Sequence, residues 1–350
     1  MMRFFLVLVA ILGIIAAGAV EWAAGAWNEA GPAAASGNQT VVLIEPHTSV
    51  HDIARQLQDK HLLNYAAVFE LDLHLRRLAA QVKAGEYAVP GKASMADIAT
   101  ILVAGKSIEH KLTAAEGLTS DMIWKLVVAE PALLGNTGAP PAEGTLLPET
   151  YLFTHGATRA ELLARMQKAQ EKFLAQIWPG RVQDLPFQTV AEAVTLASIV
   201  EKETSLPEER RHIAAVFINR LKAGMKLQSD PTIIYGISKG YPLGRDILES
   251  EIRAATPYNT YVIDGLPPVP ICNPGKDSLA AVLNPETSND LYFVATGRGG
   301  HVFAATLAEH QKNVIAYRVM EKLKDSGEMA APMIVPPPLS RGPAPRHRHV

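Results

Sequence analysis

The chain opens on an apolar run. From Phe4 to Val20 no residue is charged and almost every one is apolar, with Arg3 before the run and Glu21 and Trp22 after it. At about 1.5 Å per residue, such a run as a helix just reaches across a bilayer core. The positive flank stays inside, which places the bulk of the chain outside the cytoplasm. Ala17-Gly18-Ala19 has the small-x-small form that a signal peptidase accepts, so a cleaved signal competes with a retained anchor over 1–22. Residues 23–39 are small and polar with scattered Gly and Pro and read as a flexible linker.

Two stretches then repeat one pattern: Ser49-Val50-His51-Asp52-Ile53-Ala54 and Ser94-Met95-Ala96-Asp97-Ile98-Ala99. Each follows an extended segment, VVLIEP at 41–46 and GEYAVP at 85–90. In each, the Ser can cap a helix and the Asp three residues on can answer it. Between them 65–80 reads as a helix whose apolar face is Val68, Leu71, Leu75 and Leu78, and Gly105 is a C-cap for the last helix. The pattern predicts a small α+β domain over 40–107.

A larger region follows from Lys111. It has a strand, Glu116-Gly117-Leu118-Thr119, a helix through Met122, Ile123, Leu126 and Val127, and an extended Leu146-Leu147-Pro148-Glu149-Thr150-Tyr151. A further helix opens at Thr158 with Glu161 in capping-box position. Gly, Pro, Asn, Tyr and Thr crowd 228–305, which predicts loops and short strands and a place for a substrate groove. After about Asp325 the chain is basic and Pro-rich, so 326–350 reads as a disordered tail. The fold class is α+β, with the larger domain, 111–325, a mixture of helices and strands.

The chemistry concentrates at 189–204, TVAEAVTLASIVEKET. Val190, Val194 and Ala197 recur at helical spacing, and Glu201 takes the next place on that stripe. A carboxyl standing where an apolar residue is expected loses hydration, which favours the protonated form that a general acid needs. The structural alternative is a helix-end glutamate paired with Lys202 or Arg210. Glu203 is a rival because it aligns with Leu196 and Ile199, and periodicity leaves the two open. Ser205-Leu206-Pro207-Glu208 reads as the capping box of a new helix through Ile213, Val216, Phe217 and Leu221, ended by Gly224. Gln228, Ser229 and Asp230, with Tyr258, Asn259, Thr260 and Tyr261, supply the amide, hydroxyl and aromatic groups that suit a sugar, although both clusters are also good turn formers.

Charge and composition remove other readings. Lys and Arg total 33 against 35 Asp and Glu, so no broad basic field is available for nucleic acid. Cys272 is the only cysteine, which excludes an intramolecular disulfide and a Cys-rich zinc site. The chain has no HExxH, Walker loop or GxSxG, and its histidines lack metal-ligand spacing, so neither a metal nor a cofactor is expected. Gly297-Arg298-Gly299-Gly300-His301 reads as a hairpin turn.

Taken together the motifs resemble the YceG-like (MltG) family of endolytic murein transglycosylases, from the apolar run to about residue 322. The resemblance rests on Glu116-Gly117-Leu118-Thr119, Pro148-Glu149-Thr150-Tyr151, LASIVEKET at 196–204, VFINRL at 216–221 and LQSDPTIIYG at 227–236. TPYNTY at 256–261, GLPP at 265–268 and YFVATGRGGHVFAATLAEH at 292–310 complete it. It implies a single-pass inner-membrane protein with a periplasmic LysM-like small domain and a catalytic domain. The implied activity cleaves the bond between N-acetylmuramic acid and N-acetylglucosamine within glycan strands and would end nascent strands. The motif's position implies Glu201 as the essential glutamate.

Glycosidases usually need two carboxylates. A lytic transglycosylase needs one, because its nucleophile is the sugar's own C6 hydroxyl. The expectation is therefore a lyase in which Glu201 acts as acid and then base, with Gln228, Asp230, Tyr258, Asn259 and Tyr261 positioning the glycan. The expected partners are peptidoglycan, a membrane and peptidoglycan synthases. The alternatives are a muramidase that activates water through Asp230 or Glu203, and a non-catalytic wall-binding protein.

Overall fold

The computed structural model describes residues 2–34 and 37–325, so the expected tail at 326–350 lies outside the described residues. The first helix, α1 (Met2–Asn28), contains a stretch, Val7–Asn28, long and apolar enough to cross a membrane. The helix runs on into the expected linker. Ala23 to Ala26 are good helix formers or small residues that continue it, and Trp27 then finds a large apolar partner. Ala26 and Trp27 are buried, the Trp27 ring stacks 6.0 Å from Phe69, and the Arg76 guanidinium lies 4.6 Å over it. Gly31 and Pro32 are held further on by backbone bonds to Lys92. The segment from 23 to 32 is thus part of a packed domain and not a free tether.

That small domain comprises β1 (Gln39–Ile44), α2 (Val50–Asp59), α3 (Ala66–Leu75), β2 (Gly85–Pro90) and α4 (Met95–Ala104). The strands pair antiparallel from Gln39↔Pro90 to Ile44↔Gly85. Ser49 and Ser94 cap α2 and α4 through the N–H groups of Asp52 and Asp97, and Gly105 closes α4 with φ +68°, the left-handed conformation of a helix stop. Of the apolar face expected for α3, Val68 and Leu78 pack against the core, but the middle of the face is out of phase. Phe69, Asp72 and Leu73 are buried, whereas Leu71 and Leu75 are 53% and 70% exposed. The helix is apolar around most of its circumference, so spacing gives no phase, and the Phe69–Trp27 contact selects the buried side. Leu78 falls beyond the helix.

The larger domain begins with β3 (Glu109–Thr113), α5 (Ser120–Ala129) and β4 (Thr150–Thr154), β3 and β4 forming an antiparallel ribbon. Then follow α6 (Arg159–Ile177), α7 (Val190–Glu203), α8 (Arg210–Lys222), α9 (Asp230–Ser238), α10 (Glu249–Ile252) and α11 (Lys276–Leu283). A second antiparallel ribbon, β5 (Tyr292–Ala295) and β6 (His301–Ala304), turns at Gly297–Gly300 as expected, and α12 (Leu307–Asp325) ends the described chain. Thr158 with Glu161 and Thr189 with Glu192 form full capping boxes at α6 and α7. Ser205 does not cap α8. The Thr204 hydroxyl accepts the Leu206 N–H instead, and a 3₁₀ turn at Pro207–Glu209 leads into the helix. Ser229-Asp230-Pro231 opens α9 and is not a free turn, because Pro in the first helical turn is preorganised for it.

The core of this domain is α7, buried at every position from Ala193 to Val200 and packed on α8 and α11 through Leu196, Ile199, Ile213, Phe217, Leu279 and Val282. Trp27→Ala should cost about 3 kcal/mol of small-domain stability, as large-to-small core changes do. The measurement is the denaturation midpoint of the full chain in detergent micelles. An unchanged midpoint would mean that the end of α1 is not part of the core.

Candidate functional site

A helix buried on all sides that ends in Glu201, Lys202 and Glu203 must find a place for two carboxyls in its last turn. Successive residues turn by about 100°, so Glu201 and Glu203 leave nearly opposite faces of α7. They enter different surroundings.

Glu201 has a side chain only 5% exposed. One oxygen accepts from Arg210 Nη2 at 3.4 Å and the other accepts the Gly275 N–H at 2.9 Å, at the N-terminus of α11. Arg210, itself buried, also reaches Glu116 at 3.3 Å and Asp277 at 3.4 Å. Burial and the neighbouring Glu201 push the Glu116 carboxyl up. Both oxygens of Glu201 are therefore engaged in an internal ion-pair cluster. This is the Arg210 pairing weighed from the sequence, while Lys202 turns away to the Gly117 carbonyl at 3.4 Å.

Glu203 borders a cleft of about 440 Å³ with Arg220, Gln228, Asp230, Tyr261 and His310. Its carboxyl accepts the Ser229 hydroxyl hydrogen bond. Burial pushes it up from the ordinary 4.5 to about 7, the Ser229 bond opposing, nearby Asp230 adding and Arg220 opposing. A carboxyl raised in this way holds its proton at a higher pH than an exposed one, which suits both giving and taking a proton.

The floor of the cleft is a turn fixed from below. Gln228 sits in the left-handed region at φ +55°, unusual for a residue with a side chain. Its N–H bonds the Thr260 carbonyl at 3.1 Å, and the Ser229 N–H bonds the Thr260 hydroxyl at 2.9 Å. Asp230 accepts the Tyr261 hydroxyl at 2.7 Å, and burial followed by this bond raises the Tyr261 phenol.

Of the residues expected to meet the glycan, Gln228, Asp230 and Tyr261 thus line the cleft with Glu203. Asn259 and Tyr258 do not. Asn259 is fully buried and its amide donates to the carbonyls of Glu251, Ile252 and Ala254 at 2.7 to 3.1 Å. Tyr258 leans on Tyr235, its ring centroid 5.0 Å away, with Lys239 at the same distance over it. These two residues build the loop that carries Thr260 and Tyr261. Sequence reasoning missed Arg220, Phe293, Val294 and His310. Arg220 carried a usable signal, since it occupies the apolar stripe of Ile213 and Phe217 on α8, as Glu201 does on α7.

The YceG-like family model matches residues 42–316, which includes both walls of the cleft. The chain belongs to the YceG-like family. Over 172 residues it is 37% identical to the endolytic murein transglycosylase of Bacillus subtilis (strain 168), covering 49% of this chain and 47% of that one. It is also 37% identical over 187 residues to the enzyme of that name from Streptococcus pneumoniae serotype 2 (strain D39 / NCTC 7466), covering 52% of this chain and 33% of that one. The matched part spans about half of the first relative and a third of the second. A crystal structure of a YceG-like protein from Listeria monocytogenes is similar over 79% of this chain and 99% of its own, with 30% identity and a TM-score of 0.50.

In this YceG-like protein, Arg210→Met should destabilise the fold by about 3–5 kcal/mol, because it strands Glu201 as an unpaired buried charge. Adding Glu201→Gln should recover part of that loss. Equilibrium unfolding of the two single variants and the double variant measures the coupling, and strict additivity would show that the pair is not coupled.

Proposed function

We propose that the chain is an endolytic peptidoglycan lytic transglycosylase in which Glu203, in place of Glu201, gives and takes the proton. The observation that carries this reading is geometric: the Glu203 carboxyl stands at the edge of an open cleft with the Ser229 hydroxyl as its hydrogen-bond partner, while its neighbour two residues earlier is locked to Arg210 and Gly275. The family membership and the names of the relatives supply the substrate class.

In this reading protonated Glu203 donates to the glycosidic oxygen between N-acetylmuramic acid and N-acetylglucosamine. The bond from that oxygen to C1 breaks, and the departing sugar keeps the proton as a hydroxyl. Glu203, now a carboxylate, takes the proton of the muramic acid's C6 hydroxyl as that oxygen closes on C1 to form the 1,6-anhydro ring. The Ser229 hydroxyl holds the carboxyl in place through both steps. Asp230, fixed by Tyr261, faces positive charge building on the sugar ring. Gln228 and Tyr261 bind sugar hydroxyls.

Helix α1 anchors the protein in the inner membrane with both domains on the periplasmic side. The small domain, with its β-α-α-β-α order, serves as a LysM-like glycan-binding module. Cutting near the membrane would end strands still being made, beside the synthases that make them. A second reading has one observation in its favour: Asp230 is a second carboxylate in the cleft, as a water-activating muramidase requires.

Digestion of purified peptidoglycan by the full chain in detergent, with mass spectrometry of the products, separates the two. Anhydro ends are expected, and reducing ends would replace the lyase with the muramidase. Glu203→Gln should lower kcat/KM by about 10²–10⁴, and Glu201→Gln by less than about tenfold once folded protein is counted. The reverse order would return the acid to Glu201.

The pH dependence follows from the direction of the Glu203 shift. The acid must be protonated, so kcat/KM should hold below pH 7 and fall above it. Stability should move the same way. The native state holds a proton that the unfolded chain releases from about 4.5 upward, so stability is lost as pH rises from about 4.5 through 7. Glu203→Gln should flatten that slope in a series of denaturation curves.

A further inference from the structure

Two arginines of α8, Arg210 and Arg220, are 7% and 8% exposed, yet their surroundings differ in kind. Arg210 is faced by the three carboxylates of Glu116, Glu201 and Asp277. Arg220 has no carboxylate at ion-pair distance among the described residues. Its Nε donates to the Leu291 carbonyl at 2.6 Å. Its Nη1 donates to the carbonyls of Lys226 and Leu227 at 3.1 and 3.0 Å and to Gln228 Oε1 at 3.1 Å. Nη2 donates to nothing among the described residues.

Every acceptor that holds Arg220 is neutral. They fix the plane of the guanidinium without cancelling its charge, the Glu203 carboxyl acts on it only from beyond ion-pair distance, and a buried cation without a direct counter-charge is unfavourable. Burial pushes this guanidinium down accordingly. Arg220 also lines the cleft of Glu203, with the Tyr292 ring 5.1 Å from its guanidinium carbon. A cation that is oriented, without an ion-pair partner and with one nitrogen uncommitted beside a cleft is arranged to receive an anion from outside, and a guanidinium N–H makes a charge-assisted hydrogen bond to a carboxylate, the anion that murein carries.

We propose that Arg220 is the anion receptor of the cleft and that it binds a carboxylate carried by the glycan, thereby setting which sugar of the strand presents its bond to Glu203. The inference rests on the murein reading above. Murein offers a carboxylate from two sources: the lactyl ether of muramic acid where the stem peptide is gone, and the stem peptide itself where it remains. Arg220 as specificity residue makes cleavage depend on that charge. An arginine that only ties α8 to the β5–β6 ribbon would be indifferent to it.

The test uses the full chain in detergent micelles and four sets of length-matched strands. These are denuded strands with free lactyl carboxylates, the same strands as methyl amides, strands with intact peptides, and peptide strands with their carboxylates amidated. The wild type should lose at least about tenfold in kcat/KM on amidation in one of the two pairs, and the pair that responds identifies the source. Arg220→Gln should bring that ratio close to one, and Arg220→Lys should leave part of it. Equal cleavage of carboxylate and amide strands by the wild type overturns the role of Arg220 even if the variants do not fold, as does a preference that survives in folded Arg220→Gln. Cleavage of no strand overturns the murein reading instead. In that event an NMR titration of the wild type with N-acetylmuramic acid and its methyl amide decides separately, and equal affinity for the two overturns the receptor.

Discussion

The larger domain is organised around the cost of ending α7, a helix buried from Ala193 to Val200, with two carboxyls. A charge in such a place must be paired or must give up its charge by taking a proton. The last turn of α7 uses both solutions, one on each side. Toward α8 and α11, Glu201 meets Arg210 and the Gly275 N–H. Toward the start of α9, Glu203 meets the Ser229 hydroxyl, with Asp230 and Arg220 acting on it from farther off, and burial raises its carboxyl to about 7. The ion pair makes the helix end rigid. The side without an ion pair leaves a protonatable carboxyl at the edge of the cleft, and the two solutions depend on each other because they share one turn of backbone.

The cleft inherits its geometry from this arrangement and from the loop opposite. Thr260 receives the backbone of both Gln228 and Ser229, and Asn259 gathers three carbonyls beneath it, so the groups that face Glu203 stand on a floor with few free torsions. A left-handed Gln228 is tolerated because the bonds on either side over-determine it. The β5–β6 ribbon closes the other wall through Phe293 and Val294, and the segment that leads into β5 is pinned to α8 by Arg220 and Asn219.

Much of this was legible beforehand where a local rule acts alone. Ser49 with Asp52, Ser94 with Asp97, and Thr158 with Glu161 declared three helix starts, and Gly105 one helix end. Rules failed where the answer lies across the fold. The buried side of α3 is chosen by Trp27 of another helix, and the start of α8 by Thr204 in place of Ser205. The same limit explains the two glutamates. Since α7 is buried all round, alignment with apolar residues is satisfied by Glu201 and Glu203 alike. Only the positions of Arg210 and Ser229 distinguish them. Asn259 and Tyr258 illustrate the converse, since polar and aromatic groups that suit a sugar also suit the inside of a loop.

The passage of α1 into the small domain has a mechanical meaning. Its final turn is clamped by Phe69 and Arg76. The crossing to the larger domain is short, and Ser107 and His110 both tie back to Glu86 on β2. An apolar helix joined this way acts as a strut and not a leash. The distance from its far end to the cleft is then set by folded parts, as on a gauge of fixed reach, and not by the slack of a flexible linker.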